Sequence, residues 1–379
     1  MLQLSHSEPA IRHAVSAVSV IHRDVEASMN SPSGYTAANP AAAKEWNAAM
    51  QALSSRIHKQ PESNLVPLVC CLIFTCIEFL KGNVDSALVH IQSGFKILAS
   101  VRSTIIAEGD QNMTSSDEDI KAIEEHVVPM FSRLNTLCTL FGRATPPVLA
   151  IRDRSTESLA SMAEARQRLF EALDPAVRFI RTAGRRAETF ELTVDDFVEQ
   201  FKLQNALESW REAFEELLGR LKTKRNPPKE EAVNLLLVQY LCVHTWLTVC
   251  TTAAETAIDD YPMVFEELLA RAEQVTKAMA TDTKAQPMSF DMQIIGPLYY
   301  AALKCRDPKM RRRALELLKL APRREGLWNA HHAYVTAKRV IEFEEGEARN
   351  AQGLPAESGR LRGVNLPSDA VSSTIKCLA

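Results

Sequence analysis

Three of the eight cysteines lie within one seven-residue stretch, and closely spaced thiolates are common ligands of structural zinc. A zinc knuckle requires Cys-x2-Cys or Cys-x4-Cys pairs flanked by turns, so that two thiolates face one ion. Cys70, Cys71 and Cys76 are instead surrounded by Leu, Ile and Phe in a stretch with helical spacing. The other cysteines are isolated: Cys138, Cys242, Cys250, Cys305 and Cys377. We therefore expect free thiols that pack as small apolar side chains, and no bound metal.

Nucleophilic and acid–base catalysis also require residue patterns, and this sequence lacks them. It contains no Gly-x-Ser-x-Gly turn, no His-Glu-x-x-His helix and no Gly-x-Gly phosphate loop. His331 and His332 are adjacent, and neighbouring helical side chains point about 100° apart, which disfavours a shared ion. We interpret them as part of a partly exposed helix face. We name no catalytic, cofactor-binding or metal-binding residue, and we expect that the protein is not an enzyme.

Charged residues recur as acidic pairs and as two basic runs. The acidic pairs are Glu215-Glu216, Asp259-Asp260 and Glu344-Glu345. The basic runs are Lys309, Arg311, Arg312, Arg313, Lys319, Arg323 and Arg324, and then Lys222, Lys224, Arg225 and Lys229. A basic run of this kind is either a nuclear-import signal, a surface for an acidic partner, or a solvated helix face with Glu partners. We favour solvated helix faces for both sets. Neither run is interleaved with aromatic residues, so single-stranded nucleic acid is not indicated as a ligand.

The overall composition is that of an ordinary globular protein. Of the 379 residues, 46% are hydrophobic, 24% are charged and only 13 are glycine, which disfavours a fold of many tightly turned strands. The net charge of −3 provides no general attraction to nucleic acid or to anionic membranes. The apolar runs 65–80 and 235–250 contain polar residues, and neither has the ~20 uninterrupted apolar residues of a bilayer span. We expect core helices, and a soluble, intracellular protein with no membrane partner.

Helical periodicity extends through almost the whole chain. It predicts helices near residues 7–25, 40–58, 68–80, 88–98, 116–141, 159–184, 193–220, 230–256, 262–280, 308–320 and 327–341. The short turn Lys81-Gly82-Asn83 should join two of them as an antiparallel hairpin, and Pro129 should kink or split the helix that contains it. The predicted fold class is all-α, an irregular bundle or stack of antiparallel helix pairs.

The loops predict the domain organisation. We expect one helical domain over residues 1–349, with a seam near 142–157, where Pro146-Pro147 occurs. Residues 350–379 contain Gly, Ser and Pro and should form a loose tail. At the other end, Ser7, Glu8 and Pro9 predict that a packed helix begins almost at Met1.

The sequence resembles one family, the fungal transcription factors whose DNA-binding part is a six-cysteine, two-zinc cluster. The resemblance lies in four segments that follow each other in the same order as in the family: 2–22, 68–98, 131–142 and 322–345. The second segment is the most specific. It is similar to the family's signature hairpin at Glu78, Gly82-Asn83, Ala87-Leu88, His90 and Gln92-Ser93-Gly94. In the third segment, Asn135 stands where the family more often has Asp.

The resemblance implies an all-α regulatory domain, a nuclear location and control of transcription. The family's Cys-x2-Cys-x6-Cys pattern does not occur in this sequence, so neither zinc binding nor DNA contact is transferred to any residue. We expect the chain to open where the regulatory region of such a factor opens, just after the zinc cluster. The implied partners are proteins of the transcription machinery or a related regulator, and DNA only if an upstream zinc cluster exists.

Three functions remain open from the sequence alone. The first is a regulatory module of a fungal zinc-cluster transcription factor without its own zinc cluster, controlling metabolic or secondary-metabolite genes. The second is a helical scaffold for protein interactions with no role in transcription. The third is an enzyme of a secondary-metabolite pathway, which would require a polar pocket with convergent titratable groups. We favour the first, because the four segments occur in the family's order.

Overall fold

Helices account for nearly all regular structure in the computed structural model, which describes every residue except 1, 30–38, 61–62, 109–115, 143–157, 223–226, 282–287, 366–375 and 379. Within the described residues there are fourteen α-helices, and each of the five strands has only two or three residues. The predicted all-α class is confirmed. The chain divides into two compact units, Met1–Asn135 and Thr136–Ala379.

The first unit consists of helices that pack mainly against their neighbours in the chain. They are α1 Leu2–Ser7, α2 Pro9–Met29, α3 Pro40–Lys59, α4 Leu65–Lys81, α5 Val84–Glu108, α6 Ser116–Ala122 and α7 Val128–Leu140, whose last residues belong to the second unit. Helix α2 packs against α3 and α4, and α4 packs against α5. Ile11, Ala14 and Ile21 of the predicted apolar stripe are almost fully buried.

The turn between α4 and α5 is closed by Gly82, as the sequence predicts. Gly82 has φ 78°, in the left-handed region that glycine adopts without strain. Its N–H donates to the carbonyl oxygen of Phe79 at 3.0 Å, and the N–H of Asn83 donates to that of Glu78 at 2.8 Å. These bonds satisfy the last carbonyls of α4 and turn the chain back into α5.

Two residues that carry the family resemblance, His90 and Gly94, have packing roles. The His90 ring lies 5.9 Å from Trp46 and 5.4 Å from Phe74, measured between centroids. Burial lowers the pKa of this imidazole. A Cβ atom at Gly94 would lie 2.2 Å from the Phe131 ring, a distance that no side chain tolerates. Glycine at this position therefore allows α5 to approach α7.

The helix predicted over residues 116–141 is split, as Pro129 leads us to expect. Helix α6 ends at Ala122, a π-helical turn covers Ile123–Val127, and α7 begins at Val128. Proline has no N–H, so the turn before it loses a regular α-helical hydrogen bond and can widen. Ile123 and Val127 within the widened turn are both buried.

The second unit continues the pattern of paired helices. Its helices are α8 Met162–Glu188, α9 Val194–Lys222, α10 Glu230–Val249, α11 Pro262–Thr281, α12 Ile295–Lys304, α13 Pro308–Leu320 and α14 Ala330–Gly346. Helix α8 packs against α9 and α10, α10 against α11, α12 against α13, and α13 against α14. A 3₁₀-helix, Glu255–Asp260, connects α10 to α11.

Two predicted helix starts in this unit are stabilised by capping contacts. Before α9, the Asp196 carboxylate accepts the N–H of Thr193 at 2.9 Å. Before α13, Asp307 Oδ1 accepts the N–H groups of Lys309 and Met310, both at 2.9 Å. These contacts satisfy N–H groups that have no partner within the helix.

Short elements of the second unit are not predicted from the sequence. The strands are β1 Met288–Ser289, β2 Arg324–Glu325, β3 Trp328–Asn329, β4 Gly363–Asn365 and β5 Lys376–Leu378. Strand β1 is parallel to β2, β2 is antiparallel to β3, and β4 is antiparallel to β5. Strands of two or three residues are too short to show a periodic pattern of apolar residues. In α12 the first eight residues are all buried, so apolar and polar residues do not alternate along the helix.

Residues 350–364 differ from the predicted loose tail. Arg360 is 3% exposed, and its guanidinium donates to the Asp259 carboxylate at 2.6 and 2.9 Å. The N–H of Leu361 donates to Glu344 Oε1 at 2.9 Å. The composition indicates a loose segment, but these buried polar contacts hold it against the rest of the unit.

Apart from Gly142, the predicted seam lies outside the described residues, and the domain limits 1–349 stay a prediction.

Helix α10 is the one helix among the described residues that is long and apolar enough to cross a membrane by length and composition. A core helix of a water-soluble protein passes the same test, and 61% of the apolar window in α10 is buried inside the protein. Its Gln239 side chain is also hydrogen-bonded internally. These contacts agree with the predicted core helix.

The packing around glycine predicts opposite effects for two Gly→Ala substitutions. Gly94→Ala should lower the free energy of unfolding by about 2 kcal/mol, because the methyl group overlaps the buried Phe131 ring. Gly219→Ala in α9 should raise it by about 0.5–1 kcal/mol. No atom from outside the glycine's own stretch of helix lies within 4 Å of the added Cβ, and alanine favours the helix. Urea unfolding measures both, and a destabilised Gly219→Ala together with a neutral Gly94→Ala would contradict the packing.

Candidate functional site

A cavity of about 270 Å³ lies within the second unit. Residues of α8, α10 and α12 line it, together with the end of α7 and the segment that follows α14. Its aromatic wall residues are Phe141, Trp246, Tyr299, Tyr300 and Trp328. A largely apolar wall with a few fixed polar groups is typical of small-molecule sites, which span ~300–1,000 Å³. This cavity is close to the lower end of that range.

Gln239 of α10 fixes the chain that enters α12. Its Nε2 donates to the carbonyl oxygens of Met292 at 2.9 Å and Gln293 at 3.0 Å. Only the amide nitrogen can donate to a carbonyl, so these two bonds set the orientation of the Gln239 amide. Its oxygen, Oε1, is left for another contact.

Glu325 of β2 holds the same segment from the other side. Its carboxylate accepts the N–H groups of Gln293, Ile294 and Ile295 at 2.9, 3.1 and 2.9 Å. A carboxylate at a helix N-terminus satisfies N–H groups that have no partner in the helix. Burial raises the pKa of Glu325 to about 7, although these three donors favour its charged form. The start of α12 is therefore held between α10 and β2.

A two-residue turn places Glu325 and Trp328 opposite each other in β2 and β3. Gly326 in this turn has φ 52°, and a Cβ there would lie 2.4 Å from the Leu137 side chain. Both observations require glycine at this position. The same hairpin thus contains Glu325, which caps α12, and Trp328, an aromatic residue of the cavity wall.

Aromatic contacts keep the wall in place. Trp328 meets Phe141 edge to face, with centroids 5.5 Å apart and planes at 90°, and lies 5.6 Å from Tyr299. On another part of the wall, Trp246 lies 5.5 Å from Tyr300. Edge-to-face and tilted pairs at these distances are favourable arrangements for aromatic rings.

Three residues of this wall each carry a buried polar atom without a hydrogen-bond partner in the described part of the chain. The atoms are Gln239 Oε1, the Tyr300 hydroxyl oxygen and Trp328 Nε1. Their side chains belong to residues that are 2%, 7% and 5% exposed. An unsatisfied buried polar group costs ~1–3 kcal/mol, so three around one cavity are an exception that requires an explanation.

Three cationic side chains also line the cavity. Lys304 contacts the Glu255 carboxylate at 2.7 Å, and Arg362 contacts that of Glu357 at 3.3 Å. Arg181 donates to the carbonyl oxygen of Thr139 at 2.8 Å. Among the described residues, no carboxylate lies within salt-bridge distance of Arg181. In the part of the chain that the structure describes, it is therefore the wall cation without a paired carboxylate.

A second cavity of about 180 Å³ adjoins the first. The two share the wall residues Arg181, Trp246, Tyr300, Lys304 and Arg362. The uncompensated guanidinium of Arg181 thus borders both spaces.

The far end of α12 is held by a buried group of charges, Arg306, Arg311 and Glu344, which we call the Glu344 cluster. All three side chains are 0% exposed. Glu344 pairs with Arg311 through one oxygen and with Arg306, at 3.1 Å, through the other. Arg311 Nε also donates to the carbonyl oxygen of Ala302 in α12 at 3.1 Å. The cluster therefore connects α12, α13 and α14.

The Glu344 cluster extends to the cavity wall. Arg306 donates to Glu255 at 3.0 Å and to the carbonyl oxygen of Lys304 at 3.0 Å. Glu255 in turn binds the ammonium group of Lys304, which lines the cavity. Burial alone would raise the pKa of Glu344, but the charges of Arg306 and Arg311 lower it below its usual value.

The cysteines lie where the sequence predicts them. Cys70 and Cys71 are buried in α4, and burial raises the pKa values of their thiols to about 12 and about 11. This disfavours the thiolate that zinc requires. The described residues contain no group of three or more His, Cys, Asp or Glu side chains placed to hold a metal ion. They do not fit a zinc cluster, and the absence of metal stays a prediction.

The remaining histidine and acidic pairs are separated rather than convergent. The His331 and His332 rings lie 6.4 Å apart, and burial followed by the charge of Arg324 lowers the pKa of His332. The expectation that Glu344 is solvated is wrong, because its side chain is buried and its carboxylate is paired with Arg306 and Arg311. Asp259 is likewise paired, with Arg360.

The basic run that begins at Lys309 is mostly ion-paired, as favoured from the sequence. Arg312 binds Glu345, and Arg313 binds Glu266 and Glu273. Arg311 is also ion-paired, with Glu344, but it lies in the core and not on a solvated helix face. In the other run, residues 223–226 lie outside the described residues.

None of the cavity residues is predicted as functional from the sequence. One usable indication is Gln239, a polar residue within the apolar run of α10. A buried amide must find partners, so it marks a site with polar neighbours. Arg181, Tyr300 and Trp328 carry no indication in the sequence, since they come together only through packing of α8, α12 and β3.

Five large apolar side chains are exposed at the start of α9, and we call them the α9 surface. They are Phe190, Val194, Phe197, Val198 and Phe201, with exposed fractions between 46% and 89%. The spacing of Val194, Phe197, Val198 and Phe201 puts these four along one stripe of α9, and Phe190 lies in the turn before the helix. Isolated apolar residues are common on protein surfaces, whereas a group of five with a helical stripe indicates an interaction surface.

Comparison with known proteins shows that the chain is similar to fungal transcription regulators. Residues 1–128 match the model of the fungal specific transcription factor domain. The chain is 24% identical over 140 residues to the transcription regulator lscL of Purpureocillium lilacinum, covering 35% of this chain and 33% of that protein. It is 21% identical to the aspercryptin biosynthesis cluster-specific transcription regulator atnN of Emericella nidulans, covering 94% of this chain and 70% of that protein. No solved structure matches the chain.

These findings describe an all-α protein whose residues 1–128 match the fungal specific transcription factor domain. Its similarity to fungal transcription regulators confirms the predicted resemblance. The matched domain lies within the first unit, and the cavity lies within the second. The cavity is thus outside the segment that matches the domain model.

The Glu344 cluster predicts different effects for two neighbouring substitutions. Glu344→Gln should lower the free energy of unfolding by about 3–5 kcal/mol, because it leaves two buried guanidinium groups without a carboxylate. Glu345→Gln should cost less than about 1 kcal/mol, since its partner Arg312 is 56% exposed. Urea unfolding at pH 7 measures both, and equal effects would contradict the cluster.

The pH dependence provides a second readout of the same cluster. The pKa of Glu344 is lowered on folding, so its contribution to stability is present above its unfolded pKa of about 4.3. That contribution is lost as the pH falls through the folded pKa. The difference in stability between wild type and Glu344→Gln should therefore shrink below about pH 4.

Proposed function

We propose that this chain is the helical regulatory module of a fungal transcription regulator and acts in the nucleus. The observation that carries the proposal is the domain match over residues 1–128, together with an alignment to a transcription regulator over 94% of the chain. Regulators of this class are not generally enzymes, which fits our expectation that the protein has no catalytic residues.

We further propose that the genes under its control are metabolic or secondary-metabolite genes. Support comes from one relative, which is named as a regulator specific to the aspercryptin biosynthesis cluster. The chain spans 33% of the length of one relative and 70% of the other, so activities of those whole proteins are proposals for this one.

The proposed partner is a protein of the transcription machinery or a related regulator. The α9 surface supports this choice, because exposed Phe197 and Phe201 offer apolar area that water solvates poorly. Contact with DNA is proposed only through a zinc cluster upstream of the segments described. No described group of His, Cys, Asp and Glu is suited to a metal ion of that kind.

The alternative is a helical scaffold with no role in transcription. Paired helices alone would serve such a scaffold, and the α9 surface would bind its partner equally well. The location of the protein separates the two proposals. Exclusion of a fluorescently tagged full chain from the nucleus would favour the scaffold.

Fusion of the full chain to an unrelated DNA-binding domain tests the regulatory proposal. We expect a reporter gene with sites for that domain to change its expression, in either direction, relative to the DNA-binding domain alone. An unchanged reporter, with the fusion protein present at normal level, would contradict a regulatory module.

Matched variants of the fusion locate the partner surface. Phe201→Ser should reduce the reporter response, because it puts a polar group into the α9 surface where Phe201 is 63% exposed. Met263→Ser is the control, since Met263 is 76% exposed at the start of α11 and lies outside that surface. Equal responses from both variants would exclude the α9 surface as the partner site.

A further inference from the structure

We propose that the cavity of the second unit binds a small aromatic organic anion, held by hydrogen bonds to Gln239, Tyr300 and Trp328 and by the charge of Arg181. This inference goes beyond the regulatory function and does not depend on it, since binding is a property of the purified chain. It names the chemical class of a ligand for a site that lies outside the segment matched by the domain model.

The unsatisfied polar atoms argue for a ligand. Gln239 Oε1, the Tyr300 hydroxyl and Trp328 Nε1 are buried, lack partners in the described part of the chain, and belong to one cavity wall. Apolar substitutes such as phenylalanine would remove this cost to folding at Tyr300 or Trp328. Polar atoms that remain unpaired in the free protein are accounted for if a bound molecule satisfies them.

The three atoms specify complementary groups on the ligand. Trp328 Nε1 can only donate, and the amide oxygen Gln239 Oε1 can only accept. The two bonds made by Gln239 Nε2 keep the amide in this orientation. The Tyr300 hydroxyl can do either, and burial raises the pKa of this phenol, so its proton is retained. The ligand therefore carries at least one hydrogen-bond acceptor and one donor.

The shape and lining of the cavity specify an aromatic body. Trp246, Tyr300 and Trp328 present rings that favour offset or edge contacts with another ring. A cavity of ~150 Å³ already binds benzene, so about 270 Å³ leaves room for more than one ring. A polar metabolite without rings would leave this apolar surface poorly covered.

Arg181 specifies a negative charge, and one charge rather than several. Its guanidinium has no carboxylate within salt-bridge distance among the described residues, whereas Lys304 and Arg362 are already paired. One uncompensated cation suits a carboxylate or a sulfonate. A di- or triphosphate would need more cations or a glycine-rich loop.

The test uses two fluorescent probes that differ by a single charged group. 1-Anilinonaphthalene-8-sulfonate is an aromatic anion with an amine donor, and N-phenyl-1-naphthylamine is the same molecule without the sulfonate. Titration of the purified full chain should show saturable binding of both, at one site per chain. The anion should bind more tightly, by about tenfold, because it can pair with Arg181.

Variants assign the probe to this cavity. Arg181→Met should weaken the anion by about tenfold and the neutral probe by less than twofold, since only the charged pair is lost. Lys202→Met in α9 is the control and should change neither affinity, because Lys202 is 68% exposed and lines neither cavity. Tyr300→Phe should weaken both probes while leaving the melting temperature equal or higher, because it removes an unsatisfied hydroxyl.

Several results would overturn the proposal. One is the absence of saturable binding at pH 7 in a protein with a cooperative thermal transition. Another is binding that Arg181→Met and Lys202→Met reduce equally, or that Tyr300→Phe leaves unchanged. A Tyr300→Phe variant with a lower melting temperature would show that the hydroxyl serves the fold. The reporter assay reads the regulatory proposal separately, so either proposal can fail alone.

Discussion

The second unit depends on one buried interaction, the carboxylate of Glu344 between the guanidinium groups of Arg306 and Arg311. Removing charges from water is costly, and the cost is offset only when each charge has close partners and further hydrogen bonds. Here the arginines also bind carbonyl oxygens of α12, and Glu344 also accepts the N–H of Leu361. All these contacts can be made together only if α12, α13, α14 and the segment that follows them keep this arrangement.

The cavity is a consequence of that arrangement. Helix α12 is fixed at its start by Glu325 and Gln239 and at its end by the Glu344 cluster, so the wall it contributes has little freedom to collapse. A wall that cannot close onto its own polar atoms leaves Tyr300 and Trp328 with unsatisfied groups. The rigidity that costs stability in the free protein prepares the site for a ligand, because little ordering is then needed on binding.

The sequence predicts most of the fold because long amphipathic helices repeat apolar residues over many turns. The capping residues Thr193 and Asp307 and the helix-closing Gly82 mark helix ends by local chemistry, which needs no knowledge of distant residues. The site is different. In the sequence, Glu344 looks the same as its neighbour Glu345, which pairs with the exposed Arg312. Only the positions of Arg306 and Arg311, more than thirty residues away, make Glu344 a core residue. Buried charge pairs of this kind are set by tertiary packing, which a single sequence does not display.

The central claim is that the Glu344 cluster unites α12 and residues 360–362 into one cooperative structure that holds the cavity wall. Native-state hydrogen exchange of individual amides tests it most directly. We predict that the amide of Leu361, which donates to Glu344, exchanges with the same large opening free energy as the amides of α12. Rapid exchange at Leu361 while α12 remains protected would contradict the claim.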